Sequence, residues 1–74
     1  MMINVYVEFM LFQKKDKLYV DIEKGSNLED LLEIFHIADK VNDYFYVVNE
    51  INKMKTYILQ DRDQVKIFTV MSGG

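Results

Sequence analysis

The spacing of apolar residues changes character once along this chain, and the change falls at a glycine. From Ile3 to Phe9 the apolar positions alternate, with Ile3, Val5, Val7 and Phe9 on one side and Asn4, Tyr6 and Glu8 on the other. Leu18, Val20 and Ile22 repeat the alternation. A period of two in residues this rich in β-branching specifies strands with one buried face. The polar run Gln13-Lys14-Lys15-Asp16-Lys17 between them is read as a turn, so the two strands form a hairpin. After Gly25 the period becomes helical: Leu28, Leu31, Leu32 and Phe35 fall on one stripe, and Glu29, Asp30 and Glu33 fall opposite. Ser26 followed by Glu29 has the spacing of a capping box, and the acidic first turn suits the positive end of the helix dipole. A helix is predicted over residues 27–37.

Beyond a polar connection at 38–43, three further strands are predicted. They are Phe45 to Asn49, a short one at Lys55 to Ile58, and Val65 to Val70, with Asn49-Glu50 and Asn52-Lys53 read as a turn between the first two. Leu59 to Gln64 is read as a polar turn with one apolar anchor. The order β-β-α-β-β-β places one helix over a single mixed sheet of four to five strands. This is the α+β arrangement called the β-grasp, the ubiquitin-like fold, in which the first and last strands run parallel at the centre. The domain is expected to span residues 1–70, with 71–74 as a flexible tail.

A chain of 74 residues can bury one modest core, and half of its residues are hydrophobic. The formal charge of -3 argues against a nucleic-acid partner, which calls for a basic face. Lys14, Lys15 and Lys17 are the sole basic cluster, broken by Asp16, and they read as a solvated turn. No apolar stretch approaches the roughly 20 residues of a membrane span, and the N-terminus lacks the basic leader of a signal peptide. There is no cysteine, which fits a cytoplasmic protein.

No catalytic constellation is present. His36 stands alone without a second ligand at metal-binding spacing, so it is read as a partly exposed helix residue and no metal site is expected. Ser26 is accounted for as a cap. Asp61 and Asp63 read as turn formers rather than an acid/base pair. The end of the chain is different. Gly73 and Gly74 follow an apolar strand, and residues without Cβ can pass through a narrow tunnel that a branched side chain would block. The Gly74 carboxylate is then reachable by an activating enzyme. The bland alternative is a frayed end.

With that element order, the tail resembles the ubiquitin-like sulfur-carrier family (ThiS/MoaD-like proteins), over essentially the whole chain. Three segments carry the resemblance: Val47-Val48-Asn49, the run Leu59-Gln60-Asp61-Arg62-Asp63-Gln64-Val65-Lys66-Ile67-Phe68, and Met71-Ser72-Gly73-Gly74. The family usually has glycine where Glu50 and Arg62 stand, so the two turns are open to a change of type. The resemblance implies a carrier rather than an enzyme. An E1-like partner would use ATP to adenylate the Gly74 carboxylate, and a sulfur donor would convert it to a thiocarboxylate. An acceptor enzyme, a molybdopterin synthase large subunit or a thiazole synthase, would then take the sulfur into a cofactor precursor. The chain itself is expected to bind no cofactor. Strand parity puts Phe68, Val70 and Tyr6 on the side opposite the helix, with Tyr6 expected near Phe68. These residues, with Met71 and Ser72, are the expected partner contacts. The alternatives are a ubiquitin-like interaction module with an inert tail, or a protein modifier joined to lysines through Gly74.

Overall fold

Residues 1–11, 14–37 and 43–69 are described by a computed structural model. Strand β1 (Met2–Leu11) pairs antiparallel with β2 (Lys14–Glu23) from Met2↔Glu23 to Leu11↔Lys14. Both strands are longer than the alternation predicted. Lys14, Lys15, Asp16 and Lys17 belong to β2 and not to a turn. Helix α1 (Leu28–Ile34) follows, then β3 (Tyr44–Val48), β4 (Ile51–Lys53) and β5 (Gln64–Thr69). The sheet order is β2-β1-β5-β3-β4, with β5 parallel to β1 and antiparallel to β3. This is the expected β-grasp, with five strands.

The core lies between the sheet and α1. Val5, Val7, Val65, Ile67 and Val48 meet Leu28, Leu31 and Leu32, and all of these are buried. Phe9 closes one end, edge-to-face on Phe35 with ring centroids 4.9 Å apart. The helix boundaries differ from the sequence reading. The capping box lies one residue later, at Asn27 and Asp30. Asn27 Oδ1 accepts from the Asp30 amide at 2.9 Å, and Asp30 Oδ2 accepts from the Asn27 amide at 3.0 Å. Asparagine caps as well as serine, so spacing alone did not separate the two frames. Ser26 instead lends its carbonyl to the Leu59 amide at 2.8 Å. The helix stops at Ile34 because His36 turns left-handed (φ 62), where its amide reaches Glu33 O and the Ile37 amide reaches Leu32 O. Those paired bonds are the Schellman closure, with histidine in glycine's place.

The fourth strand is also displaced. It is Ile51–Lys53, directly after β3, where a turn was expected, and Lys55–Thr56–Tyr57 is not strand. Ile58 makes only an isolated bridge to Asn27. Asn49 (φ 51) and Glu50 (φ 70) are both left-handed, which is the backbone of a two-residue hairpin turn joining Val48 to Ile51. The turn at Asn49-Glu50 lies where it was expected, whereas Asn52 and Lys53, expected to continue it, belong to β4. Arg62 is also left-handed (φ 68), so both substituted turns keep the conformation that glycine adopts without strain.

Candidate functional site

Strand β5 lies at the centre of the sheet and leads into residues 70–74. Its inner residues, Val65 and Ile67, are fully buried, and its outer residues, Gln64, Lys66 and Phe68, face away from α1. The outer face is therefore a grid set by register. In the row nearest the end of β5, Phe68 stands between Met10 and Phe45. The Phe45 and Phe68 rings stack at 4.8 Å, nearly parallel at 6°, and Phe45 is 41% exposed. In the next row Lys66 lies between Glu8 and Val47, and Glu8 also faces Lys17. The third row joins Gln64 to Tyr6 and Tyr6 to Tyr19, whose rings are 5.1 Å apart and tilted by 55°.

Tyr6 and Phe68 thus share the face opposite the helix, but they are not neighbours. Tyr6 is level with Gln64, four residues before Phe68, about 13 Å along the strand. A charged band separates the Phe68 stack from the Tyr6–Tyr19 pair. Parity alone gives the face, and register is needed to give the distance. The other expected contacts, Val70, Met71 and Ser72, and the reactive Gly73 and Gly74, lie outside the described residues.

The start of β5 holds a residue whose importance sequence reasoning missed. Asp63 is buried, and its carboxylate accepts from Tyr57 Oη at 2.9 Å, Asn49 Nδ2 at 2.9 Å and the Gln60 amide at 2.8 Å. Burial, that hydrogen bond and the Asp63 charge push the Tyr57 phenol above its usual range. Asp61 is oriented by different work: its Oδ1 accepts from the Asn4 amide at 2.9 Å and extends the β1–β5 ladder into the turn. Both carboxylates are engaged by backbone amides and neighbouring side chains, so the pair organises the turn. The signal was legible in principle, because a carboxylate next to a buried strand, within reach of Asn49 and Tyr57, needs donors. His36 is exposed at the helix terminus, and among the described residues no three metal-binding side chains cluster. No helix among them is long and apolar enough to cross a membrane.

A five-stranded mixed sheet on one helix, with parallel outer-terminal strands at its centre, defines a ubiquitin-like β-grasp protein. The chain belongs to the ThiS family, whose model matches residues 10–74, and so to the ubiquitin-like sulfur carriers or modifiers. Solved structures agree on the fold. The Caldiarchaeum subterraneum ubiquitin superposes with a TM-score of 0.69 at 10% identity, covering 99% of both chains. SAMP1 from Haloferax volcanii gives 0.66 at 18% identity, covering 93% of this chain and 99% of its own. A second Haloferax volcanii protein, solved in solution, gives 0.69 at 15% identity, covering 96% and 88%. No curated protein matches in sequence.

Proposed function

We propose that this protein is a sulfur carrier whose Gly74 carboxylate is the reacting group. The observation that carries the reading is the joining of a ThiS-family β-grasp to a Gly73-Gly74 terminus just beyond the exposed Phe45–Phe68 stack. A free carboxylate is a poor electrophile. A carboxylate oxygen of Gly74 attacks the α-phosphorus of ATP on an E1-like enzyme, and pyrophosphate leaves. A hydrosulfide equivalent then attacks the acyl carbon, AMP departs, and a thiocarboxylate remains. That group is a soft nucleophile and also the transferable atom. Residues 71–74 act as the extended tail that enters the active sites of the adenylating enzyme and of the sulfur acceptor. Phe68 and Phe45 form the docking surface beside it, with Val70, Met71 and Ser72 lining the approach and Tyr6 a more distant contact. The partners supply ATP and catalysis, and the chain itself holds no cofactor. The acceptor works in molybdopterin or thiazole assembly.

A second reading is a protein modifier, favoured by the likeness to the Caldiarchaeum ubiquitin. It shares the adenylation step, after which a lysine amine, in place of sulfur, captures the acyl group. Intact mass after incubation with an E1-like enzyme of the family, ATP and sulfide separates the two. Replacement of one oxygen by sulfur supports the carrier. Covalent addition to lysines, with no thiocarboxylate, supports the modifier. No reaction at Gly74 rejects both.

A further inference from the structure

Strand β2 forms one margin of the sheet. Its ten residues pair with β1 on one side, and among the described residues no strand pairs with the other. The direction of its free backbone groups follows from the far side of β1. The Tyr6 amide donates to Asp63 O, and Asn4 O accepts from the Arg62 amide, so these even-numbered residues of β1 direct their backbone groups toward β5. Their partners on β2, Tyr19 opposite Tyr6 and Asp21 opposite Asn4, are therefore in non-hydrogen-bonded pairs. Lys17, Tyr19 and Asp21 consequently present N–H and C=O outward. The positions that share Tyr19's parity are also charge-asymmetric: lysines stand at 15 and 17 toward one end, and Asp21 and Glu23 toward the other, while Asp16 falls in the alternate set.

A margin with opposite charges at its two ends is complementary to itself when reversed. We infer that β2 pairs antiparallel with β2 of a second copy of this chain, about a two-fold axis at Tyr19. That register places Tyr19 opposite Tyr19 and Lys17 opposite Asp21, twice, each as a hydrogen-bonded pair using the outward backbone groups. It also places position 15, a lysine, level with Glu23, twice. A shift of the axis to Leu18 or Val20 keeps the backbone bonds but only one of the two charge pairings, position 15 with Asp21 or Lys17 with Glu23, and sets Lys17 against Tyr19 or Tyr19 against Asp21. On the inner side Leu18 meets Val20, continuing the apolar face beneath both helices. Tyr19 is 73% exposed, and in the pair it would join a four-ring row with Tyr6 and the partner copy's two tyrosines. Each β5 lies two strands in from the seam, and the two run in opposite directions, so pairing leaves both Phe68 surfaces open. The competing role for edge lysines is to repel other strands; Asp21 and Glu23, which within the chain accept from Asn4 Nδ2 and the Met1 amine, stand at matching distances from the centre and offset that repulsion in a reversed second copy.

One edge-to-edge contact is smaller than the roughly 1,200–2,000 Å² of a stable complex, so association is measured at protein concentrations up to about 1 mM. Sedimentation equilibrium of the wild-type chain is expected to rise from 8.8 kDa toward twice that mass. Lys17→Glu sets acid against acid at both 17–21 pairs and Asp21→Lys sets base against base there, so each alone is expected to stay monomeric, with an unchanged circular-dichroism spectrum. Mixed in equal amounts, they regain opposite charges across the axis and associate. Hydrogen exchange of the Tyr19 amide in the wild type is expected to slow with concentration, independently of any variant. A wild type that stays monomeric with Tyr19 exchange unchanged overturns the inference. So does association that persists in either variant alone, or a mixture that fails to associate.

Discussion

The two ends of β5 make opposite use of aromatic and polar side chains. At the start, Asp63 is buried and satisfied by three donors, and Asn49 brackets Gln64 by donating its amide to Gln64 O and accepting from Gln64 N through Oδ1. At the finish, two phenylalanine rings stack in the open beside the strand end. One end spends its polarity on fixing the sheet. The other leaves apolar area where a partner can cover it. A central strand can therefore be anchored at one terminus and remain available at the other, and damage to each end should register in a different assay.

The largest expected effect belongs to the finish. Deleting Gly74 should abolish adenylation and thiocarboxylate formation while leaving the thermal midpoint within error, as checked by intact mass and calorimetry. A deletion that remains fully active would break the comparison. At the start, Asp63→Ala should destabilise the fold by about 2–4 kcal/mol, because Tyr57, Asn49 and the Gln60 amide lose a charged acceptor. The midpoint should fall by roughly 10–20 °C. A midpoint that barely moves would mean the buried carboxylate is not an anchor.

Alkaline pH sharpens the same contrast from inside the sheet. Tyr46, buried on β3 opposite Ile67, has its phenol pushed up to about 12 by burial, then by Tyr44 and Glu29. The folded pKa lies above the unfolded value of 10, so this contribution is fully present below pH 10 and is lost as pH rises through 12. Its size is on the order of 2 kcal/mol. Urea unfolding between pH 9 and 12 should show wild type losing stability relative to Tyr46→Phe; parallel curves would refute the assignment. Phe68→Ala should weaken the E1-like partner by roughly tenfold with the fold retained, as read by titration calorimetry. Equal affinity would remove Phe68 from the docking surface. The smallest effects are at the turns: Glu50→Gly and Arg62→Gly should each stabilise by about 0.5–1 kcal/mol, by relieving left-handed non-glycine backbone. A loss of stability in denaturant titrations would show that the side chains contribute more than the strain costs.

Most of the fold was legible because period and parity are local properties. Ile3 to Phe9 and Leu28 to Phe35 announce their elements, and Val65 and Ile67 announce their face. The misreadings arose where conformation did not follow residue type. The polar pair Asn52-Lys53, with the composition of a turn, concealed β4, and His36 in a left-handed conformation ended the helix three residues early. The Asn27 frame could not be told from the Ser26 frame by spacing. At the site, parity put Tyr6 and Phe68 on one face, while the distance between them depended on the parallel register of β1 and β5, which no local pattern encodes.

The strand that delivers the tail is both the last in order and the one between β1 and β3. Until it arrives, β1 and β3 have no common neighbour and the leucines of α1 have half a floor. Assembly must therefore wait for a contact that spans most of the sequence, and such long loop closures slow folding. Cutting within β5 would not yield a shorter working protein but an open, unfinished sheet. The place of β5 in the sheet is in this way fixed only once the whole domain has closed.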